Sequence, residues 1–337
     1  MVRPEAIRYL AGAVLLELLQ GGQERDGDHS VAAYPRGPHK VCAHPEERPM
    51  AVGDLPGPMR FLVASEADEA SRTQREELLR TASWTSDREF EGRPTWRHGD
   101  LALVTVPEHH LYRDHLDRDL DAAFGVPVDL VVYLSKHRSE SGRPSLTVHP
   151  IGNPGAAEFG GQPETLVPAA PRWMTAALRG LRQEARDLPF EVTFEATHHG
   201  PYLEAPTFYI EQGSTEREWS DPKAAHAIAR VLLSLAPLDA PIAIGIGGGH
   251  YMPRHTSVAL TRRIAFGHLL PSHVLDASTL DRIDRAVDRT PGAQIAYLHR
   301  KSLSTPLLHA IERRLESLGI RVVREADLDA RAKDETS

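Results

Sequence analysis

Cysteine is nearly absent. Cys42 stands alone in 337 residues, so no disulfide can close within the chain, and no cysteine-rich zinc module or iron–sulfur cluster can be assembled from it. A reducing, cytoplasmic compartment fits that composition. Aromatic residues make up only 6%, which leaves burial mainly to Leu, Val, Ile and Ala. No apolar run is long enough to span a bilayer: the longest near the start, Leu10 to Leu19, is interrupted by Glu17 and falls short of the roughly 20 residues required. Arg3 and Arg8 precede it as in a secretory signal, but no small-residue cleavage site follows. No membrane partner is expected. Positive charge is in deficit, 39 Lys and Arg against 47 Asp and Glu, which excludes blanket binding to nucleic acid but permits a local basic patch. The chain also lacks a Gly-x-Ser-x-Gly elbow and a His-Glu-x-x-His pair, so covalent catalysis by serine or cysteine is disfavoured and metal binding has no dense signature.

What is present divides at Met59. Beyond a possible helix from Glu5 to Gln20, the stretch Gly21 to Pro58 is rich in Gly, Pro, His and charge, and residues 1–58 read as a disordered leader or an over-long start. From Arg60 to Ser65 a first strand is expected, then a helical segment from Ala67 to Thr81. Residues 59–337 then alternate short apolar runs with amphipathic segments, the pattern of a single α/β domain with a largely parallel sheet. Expected strands are Leu101 to Val106, Leu130 to Leu134, Ser145 to His149, Phe190 to Ala196, Thr207 to Glu211, Ile242 to Ile246, Arg263 to Phe266, Ile295 to Leu298 and Ile320 to Val323. One helix should open at Pro171, and another behind Asp221 as N-cap.

Histidines cluster just beyond several of these strands, where open α/β sheets place ligands. His198 and His199 follow the strand ending at Ala196. Neighbours on an extended backbone point to opposite sides, so only one would face a site unless the Gly200-Pro201 turn reorients them. Gly247, Gly248, Gly249 and His250 follow Ile246; their glycines suit close approach of backbone amides to an oxyanion or phosphate, and Pro253 soon after argues against a dinucleotide fingerprint. His268 and His273 fall in an expected loop after Phe266, and His149 closes another strand. Three or four of these imidazoles, with Glu195 or Glu211, would hold zinc with a position open for water if the fold brought them together. Lys136, His137, Arg138 and Arg143 form a basic cluster in an expected loop.

Taken together, these motifs resemble the D-aminoacyl-tRNA deacylases of the archaeal and plant type. The likeness rests on Leu134-Ser135-Lys136-His137, Arg143 to His149, Gly152-Asn153, Glu195 to Pro201, Glu211 with Gly213-Ser214-Thr215 and Glu218-Trp219, Gly245 to Tyr251 with Pro253-Arg254, and Gly267-His268. It implies a phosphorylase/hydrolase-like mixed sheet flanked by helices, a monomer, a zinc requirement, and hydrolysis of the ester joining a D-amino acid to the terminal adenosine of tRNA.

An aminoacyl ester needs only a positioned water, a base or metal to activate it, and donors for the developing oxyanion. On this reading His198 or His199 with His250 activates water, and Gly247 to Gly249 supply oxyanion donors. Arg254 binds phosphate or the substrate carbonyl, and Lys136 and Arg138 hold tRNA phosphates. Metal candidates are His149, His198, His250 and His268. Competing readings are a peptidyl-tRNA hydrolase or nucleoside-cleaving enzyme of the same fold, and a non-catalytic RNA-binding protein. Because the first strand begins behind Met59, a chain starting at Met59 is expected to fold and hydrolyse the ester as fast as the full one. A lower melting temperature or lost deacylation would show residues 1–58 to be structural.

Overall fold

The computed structural model describes residues 57–331; residues 1–56, with the possible helix and Cys42, and residues 332–337 lie outside the described residues. The chain opens with β1 (Met59–Ser65), α1 (Glu69–Thr81), β2 (Thr85–Phe90), β3 (Arg93–His98), β4 (Leu101–Val106) and α2 (Leu116–Phe124). Next come β5 (Val128–Arg138), β6 (Ser145–His149), β7 (Gly152–Asn153), β8 (Thr165–Leu166), α3 (Pro171–Glu184), β9 (Glu191–Phe194) and β10 (Thr207–Ser214). A short α4 (Glu216–Trp219) and α5 (Pro222–Leu233) lead to β11 (Ile242–Ile246), α6 (Pro253–Thr261) and β12 (Ala265–Leu270). The chain closes with α7 (Asp281–Asp288), β13 (Ile295–Leu298), α8 (Thr305–Ser317) and β14 (Arg321–Val323).

Eight strands pair in the order β2-β3-β4-β1-β5-β10-β6-β9, and four more in the order β12-β11-β13-β14. The large sheet is mixed: β4, β1, β5 and β10 run parallel, while β6 pairs antiparallel with β10. Alternation along the central strands sorts their side chains between two cores. Leu62, Val132, Leu134 and Ile210 face α3 and α5, packing with Met174, Leu178, Ile228 and Leu232. Phe61, Val63, Val131, Tyr133 and Tyr209 face the other way, against Leu116, Leu120 and Phe124 of α2. Each such buried side chain contributes about 1.5–3 kcal/mol relative to exposure.

Local chemistry explains most boundaries. Asp68 caps α1 by accepting from Ser71 N at 3.0 Å, and Asp221 caps α5 by accepting from Lys223 N at 2.8 Å. Several expectations are corrected. Lys136 and Arg138 do not lie in a loop: β5 continues to Arg138 because β10 pairs with it through Gln212↔Lys136 and Ser214↔Arg138. A helix not expected after the glycine run does open there: Pro253 occupies the first turn of α6, where the missing amide costs nothing. The strand placed at Arg263 to Phe266 runs instead from Ala265 to Leu270, so His268 is inside it and fully buried.

One close approach is needed to hold β5 against β10. A Cβ on Gly213 would sit 2.3 Å from the His137 carbonyl oxygen and 2.7 Å from its Cβ. Gly213→Ala is therefore expected to destabilise the protein by about 1–3 kcal/mol, read as a lowered denaturant midpoint, because the two backbones must part. An unchanged midpoint would mean that this contact yields freely.

Candidate active site

The site grows from one face of the large sheet. Register sets Tyr133, Ser135 and His137 of β5 beside Tyr209, Glu211 and Gly213 of β10, with Thr147 and His149 of β6 on the far side. Period-two alternation makes these one surface. Tyr133 stacks on Tyr209 at 4.8 Å, and Tyr209 on His149 at 5.2 Å with the rings nearly parallel. That aromatic floor fixes where the His149 imidazole can lie.

The remaining residues arrive from beyond β9. Glu195 is bridged to Tyr251, and the amide of Ala196 donates to the His250 carbonyl at 2.8 Å, which pins the glycine-rich segment beside the end of β9. His199 adopts a left-handed backbone with φ of 45°, a conformation an imidazole residue takes only where the surroundings hold it. The turn thus swings both imidazoles inward: the His198 ring lies 4.3 Å from His199, 4.2 Å from His149 and 4.7 Å from His250.

The hydrogen bonds of these rings set their tautomers. His149 Nδ1 donates to the Pro150 carbonyl at 3.2 Å, His198 Nδ1 to that of Ala196 at 2.8 Å, and His199 Nδ1 to that of Gly200 at 2.8 Å. In the neutral ring each leaves Nε2 with its lone pair, and one ring nitrogen from each of the three lies within 4.8 Å of the others. Pinning Nδ1 on a carbonyl while Nε2 faces a shared space is how proteins orient metal-binding histidines.

Two carboxylates lie beneath the rings. Glu195 is fully buried; its oxygens approach His137 Nδ1 at 3.0 Å and His250 Nε2 at 2.8 Å, yet neither oxygen gains a hydrogen bond of good geometry. Glu211 lies 3.5 Å from His137 Nδ1 and 3.6 Å from His149 Nε2. Burial opposes ionisation of both carboxyls, but the contact with His137, joined by His250 at Glu195 and His149 at Glu211, outweighs it and holds them well below the ordinary carboxylate range. The reciprocal effect pushes His137 up to about 11 despite its burial, and raises His149. Burial and the charge of His149 instead depress His198, and His199 to about 4, keeping both neutral. The protonated His137 imidazole thus lies between the two carboxylates.

A divalent cation fits the same donors. One nitrogen from each of His149, His198 and His199, with His149 Nε2 unsatisfied, and two unsatisfied Glu195 oxygens form the nitrogen and oxygen set that zinc prefers. A second grouping, Glu195, His198 and His250, shares one of those imidazoles. Above the donors opens a cavity of about 1040 Å³, lined among others by His198, His199, His250, Glu211, Lys136 and Arg138.

Of the residues singled out from sequence, His149, His198, His199 and His250 come together here, and Lys136 and Arg138 line the same cavity. His268 does not. Its Nδ1 meets Thr197 Oγ1 at 3.1 Å and its Nε2 meets the Val167 carbonyl at 3.0 Å, so it ties the second sheet to the first; His199 takes its place in the donor set. Gly247 and Gly248 are not oxyanion donors in this conformation: the Gly247 amide donates to Leu270, and that of Gly248 to Ser272 Oγ and Ser302 Oγ. Gly249 is absent from the cavity wall. Arg254 is held by the Tyr297 hydroxyl and Glu325, also away from the cavity.

Sequence reasoning passed over His137, grouping it with its cationic neighbours. Strand alternation was the available signal, since it buries His137 between exposed or half-exposed Lys136 and Arg138. Tyr251, whose hydroxyl meets His137 Nε2 at 2.7 Å, stood in the Gly245 to Tyr251 motif but was given no role.

Comparison with known proteins bears on this site. The sequence model of the D-aminoacyl-tRNA deacylase family matches residues 124–323, which include every member of the histidine and carboxylate cluster. The D-aminoacyl-tRNA deacylase of Methanosarcina mazei is 38% identical over 276 residues, 79% of this chain and 92% of that protein. That of Thermococcus kodakarensis is 33% identical over 276 residues and matched along its whole length. The relative from Methanococcoides burtonii is longer: the 37% identity extends over 57% of it. A solved crystal structure of a conserved protein of unknown function superposes with a TM-score of 0.74 at 30% identity, covering 82% of this chain and 99% of that one. The chain belongs to the D-aminoacyl-tRNA deacylase family.

Proposed function

We propose that the protein hydrolyses the ester of D-aminoacyl-tRNA by direct attack of water, releasing free D-amino acid and tRNA. The observation that carries this is the convergence of four imidazoles on a buried carboxylate pair at the base of a cavity large enough for an aminoacylated nucleoside. The cavity hydroxyls do not offer a nucleophile. Ser135, Ser214 and Thr215 donate instead to Lys136 O, Arg143 O and Glu218 Oε2, and Ser139 pairs with Ser141. None is hydrogen-bonded to an imidazole, as an activated serine would be.

The roles follow from position. His250 is half-exposed, with Nε2 beside buried Glu195, so it can take a proton from water while the carboxylate stabilises the imidazolium that forms. His149, His198 and His199 present oriented lone pairs and are the residues that would hold zinc, joined by Glu195. When bound, zinc would polarise the ester carbonyl and acidify a water. His137, pinned between both carboxylates and Tyr251, positions the pair rather than touching substrate. Preference for the D ester is a matter of the cavity wall rejecting the L side chain. No helix among the described residues is long and apolar enough to cross a membrane.

Lys136 and Arg138 form the side of the cavity suited to tRNA phosphates. The Lys136 ammonium lies 5.2 Å above the Trp219 ring, which holds it extended along the wall. Their replacement by alanine should weaken tRNA binding and reduce the slope of affinity against salt by about one unit for each phosphate no longer neutralised. Unchanged affinity and slope would make them ordinary surface charges.

Removal of one oriented imidazole should impair both metal and rate. His198→Ala and His199→Ala are each expected to lower turnover of D-aminoacyl-tRNA by about 100-fold or more. They should also reduce zinc bound per chain, measured by elemental analysis after dialysis against trace metal. Full rate with undiminished zinc in both variants would remove these two residues from the site. A reduced rate without any zinc in the wild-type chain would leave them as metal-free acid–base groups.

A further inference from the structure

Two large aromatic side chains among the described residues are left in water, Tyr112 at 62% exposure and Phe159 at 58%. They are neighbours. Phe159 and Leu111 both line the cavity above the histidines, and a Cβ on Gly160 would fall 1.7 Å from the Leu111 carbonyl oxygen and 3.4 Å from Tyr112 Cδ1. Gly160, with φ of 70°, is what allows the two segments to touch.

Neither ring rides on a loose loop. The Phe159 carbonyl accepts from Gly200 N at 2.9 Å, one residue from His199. Asn153 Nδ2, from β7, donates to the carbonyls of Gly160 at 2.9 Å and Gln162 at 3.2 Å. The Glu164 amide donates to the Gly155 carbonyl at 2.7 Å and closes the segment at its base. On the other side Tyr112 ends a short turn whose His110 is fully buried, and its ring packs edge-on to His109 at 6.3 Å. Backbone-anchored yet uncovered aromatics, Phe159 on the cavity wall and Tyr112 beside it, are the chemistry of a stacking platform for planar ligands.

We propose that Phe159, extended by Tyr112, stacks the 3′-terminal nucleobases of the tRNA acceptor strand and so positions the ester over the histidine cluster. The inference rests on the deacylase reading, since the ester is carried on the ribose of the last nucleotide and its base must lie within one nucleoside of the reacting carbon. The cavity agrees with this arrangement: aromatic surface is at Phe159, cationic surface at Lys136 and Arg138, and the reacting groups at the floor. Bases present a π-face whatever their identity, so this contact places the strand without reading its sequence. Phe159 and Tyr112 are positioning residues and touch no reacting atom.

The test uses uncharged tRNA carrying 2-aminopurine as its terminal base, whose fluorescence is quenched by stacking, and D-aminoacyl-tRNA for kinetics. Wild type and Phe159→Trp should quench the probe. Phe159→Ala and Phe159→Leu should not, although leucine keeps the apolar bulk. Phe159→Ala should raise KM by about 5- to 100-fold with a much smaller change in kcat, and Tyr112→Ala should act in the same direction. Unchanged quenching and KM in both alanine variants, with hydrolysis intact, would overturn the platform alone. Failure of the wild-type chain to hydrolyse D-aminoacyl-tRNA would overturn the functional reading beneath it.

Discussion

Burying two carboxylates side by side is costly, and the centre of this protein is organised to bear that cost. Glu195 and Glu211 sit at the floor of the cavity with almost no exposure, both facing His137. An isolated buried carboxylate would take up a proton, so the pair stays ionised only while cationic groups surround it. His137 supplies that charge as an imidazolium, the carboxylates raise His149 in the same direction, and a bound divalent cation would supply positive charge at the same donors. The same electrostatics leaves His198 and His199 neutral, the state a metal ligand or proton acceptor requires.

The fold delivers His137, His149 and Glu211 through sheet register. Glu211 occurs in mid-strand, flanked by Ser135 of β5 and Thr147 of β6, so any slip of β10 by one residue would turn it into the apolar core under α3 and α5. Gly213 then permits the close passage of His137, and the Tyr133–Tyr209–His149 stack holds the third strand at its spacing. Glu195, His198, His199 and His250 come from the segments beyond β9 and β11, which are tied down by backbone contacts between Ala196 and His250 and between Gly152 and His199. The result is a rigid floor with half-exposed imidazoles at its rim, suited to a reaction needing exact placement of water.

Much of this was legible in the sequence where a short apolar run had clear ends. Leu101–Val106, Ser145–His149, Ile242–Ile246 and Ile295–Leu298 are strands over the spans expected. The hairpin of β2 and β3 was not foreseen because nearly all of β2 is polar and exposed, leaving no hydrophobic period to read. Long-range pairing extended β5 through Lys136 to Arg138 and β12 to Leu270, which no local pattern encodes. The histidine clusters pointed to the site, but which imidazoles meet was a tertiary fact. His268 looked equivalent to His199 until its two nitrogens were found engaged by Thr197 and Val167. Likewise the glycine run is a structural crossing whose Gly247 and Gly248 amides are already used within the fold.

The dependence of the site on its buried negative charge is tested most directly by Glu195→Gln, which keeps the shape and removes the charge. Single-turnover deacylation of D-aminoacyl-tRNA should fall by about 100-fold or more, with tRNA affinity little changed. A variant that hydrolysed the D ester at nearly the wild-type rate would contradict the account, because His250 would then need no carboxylate behind it and the cluster no ionised pair at its centre.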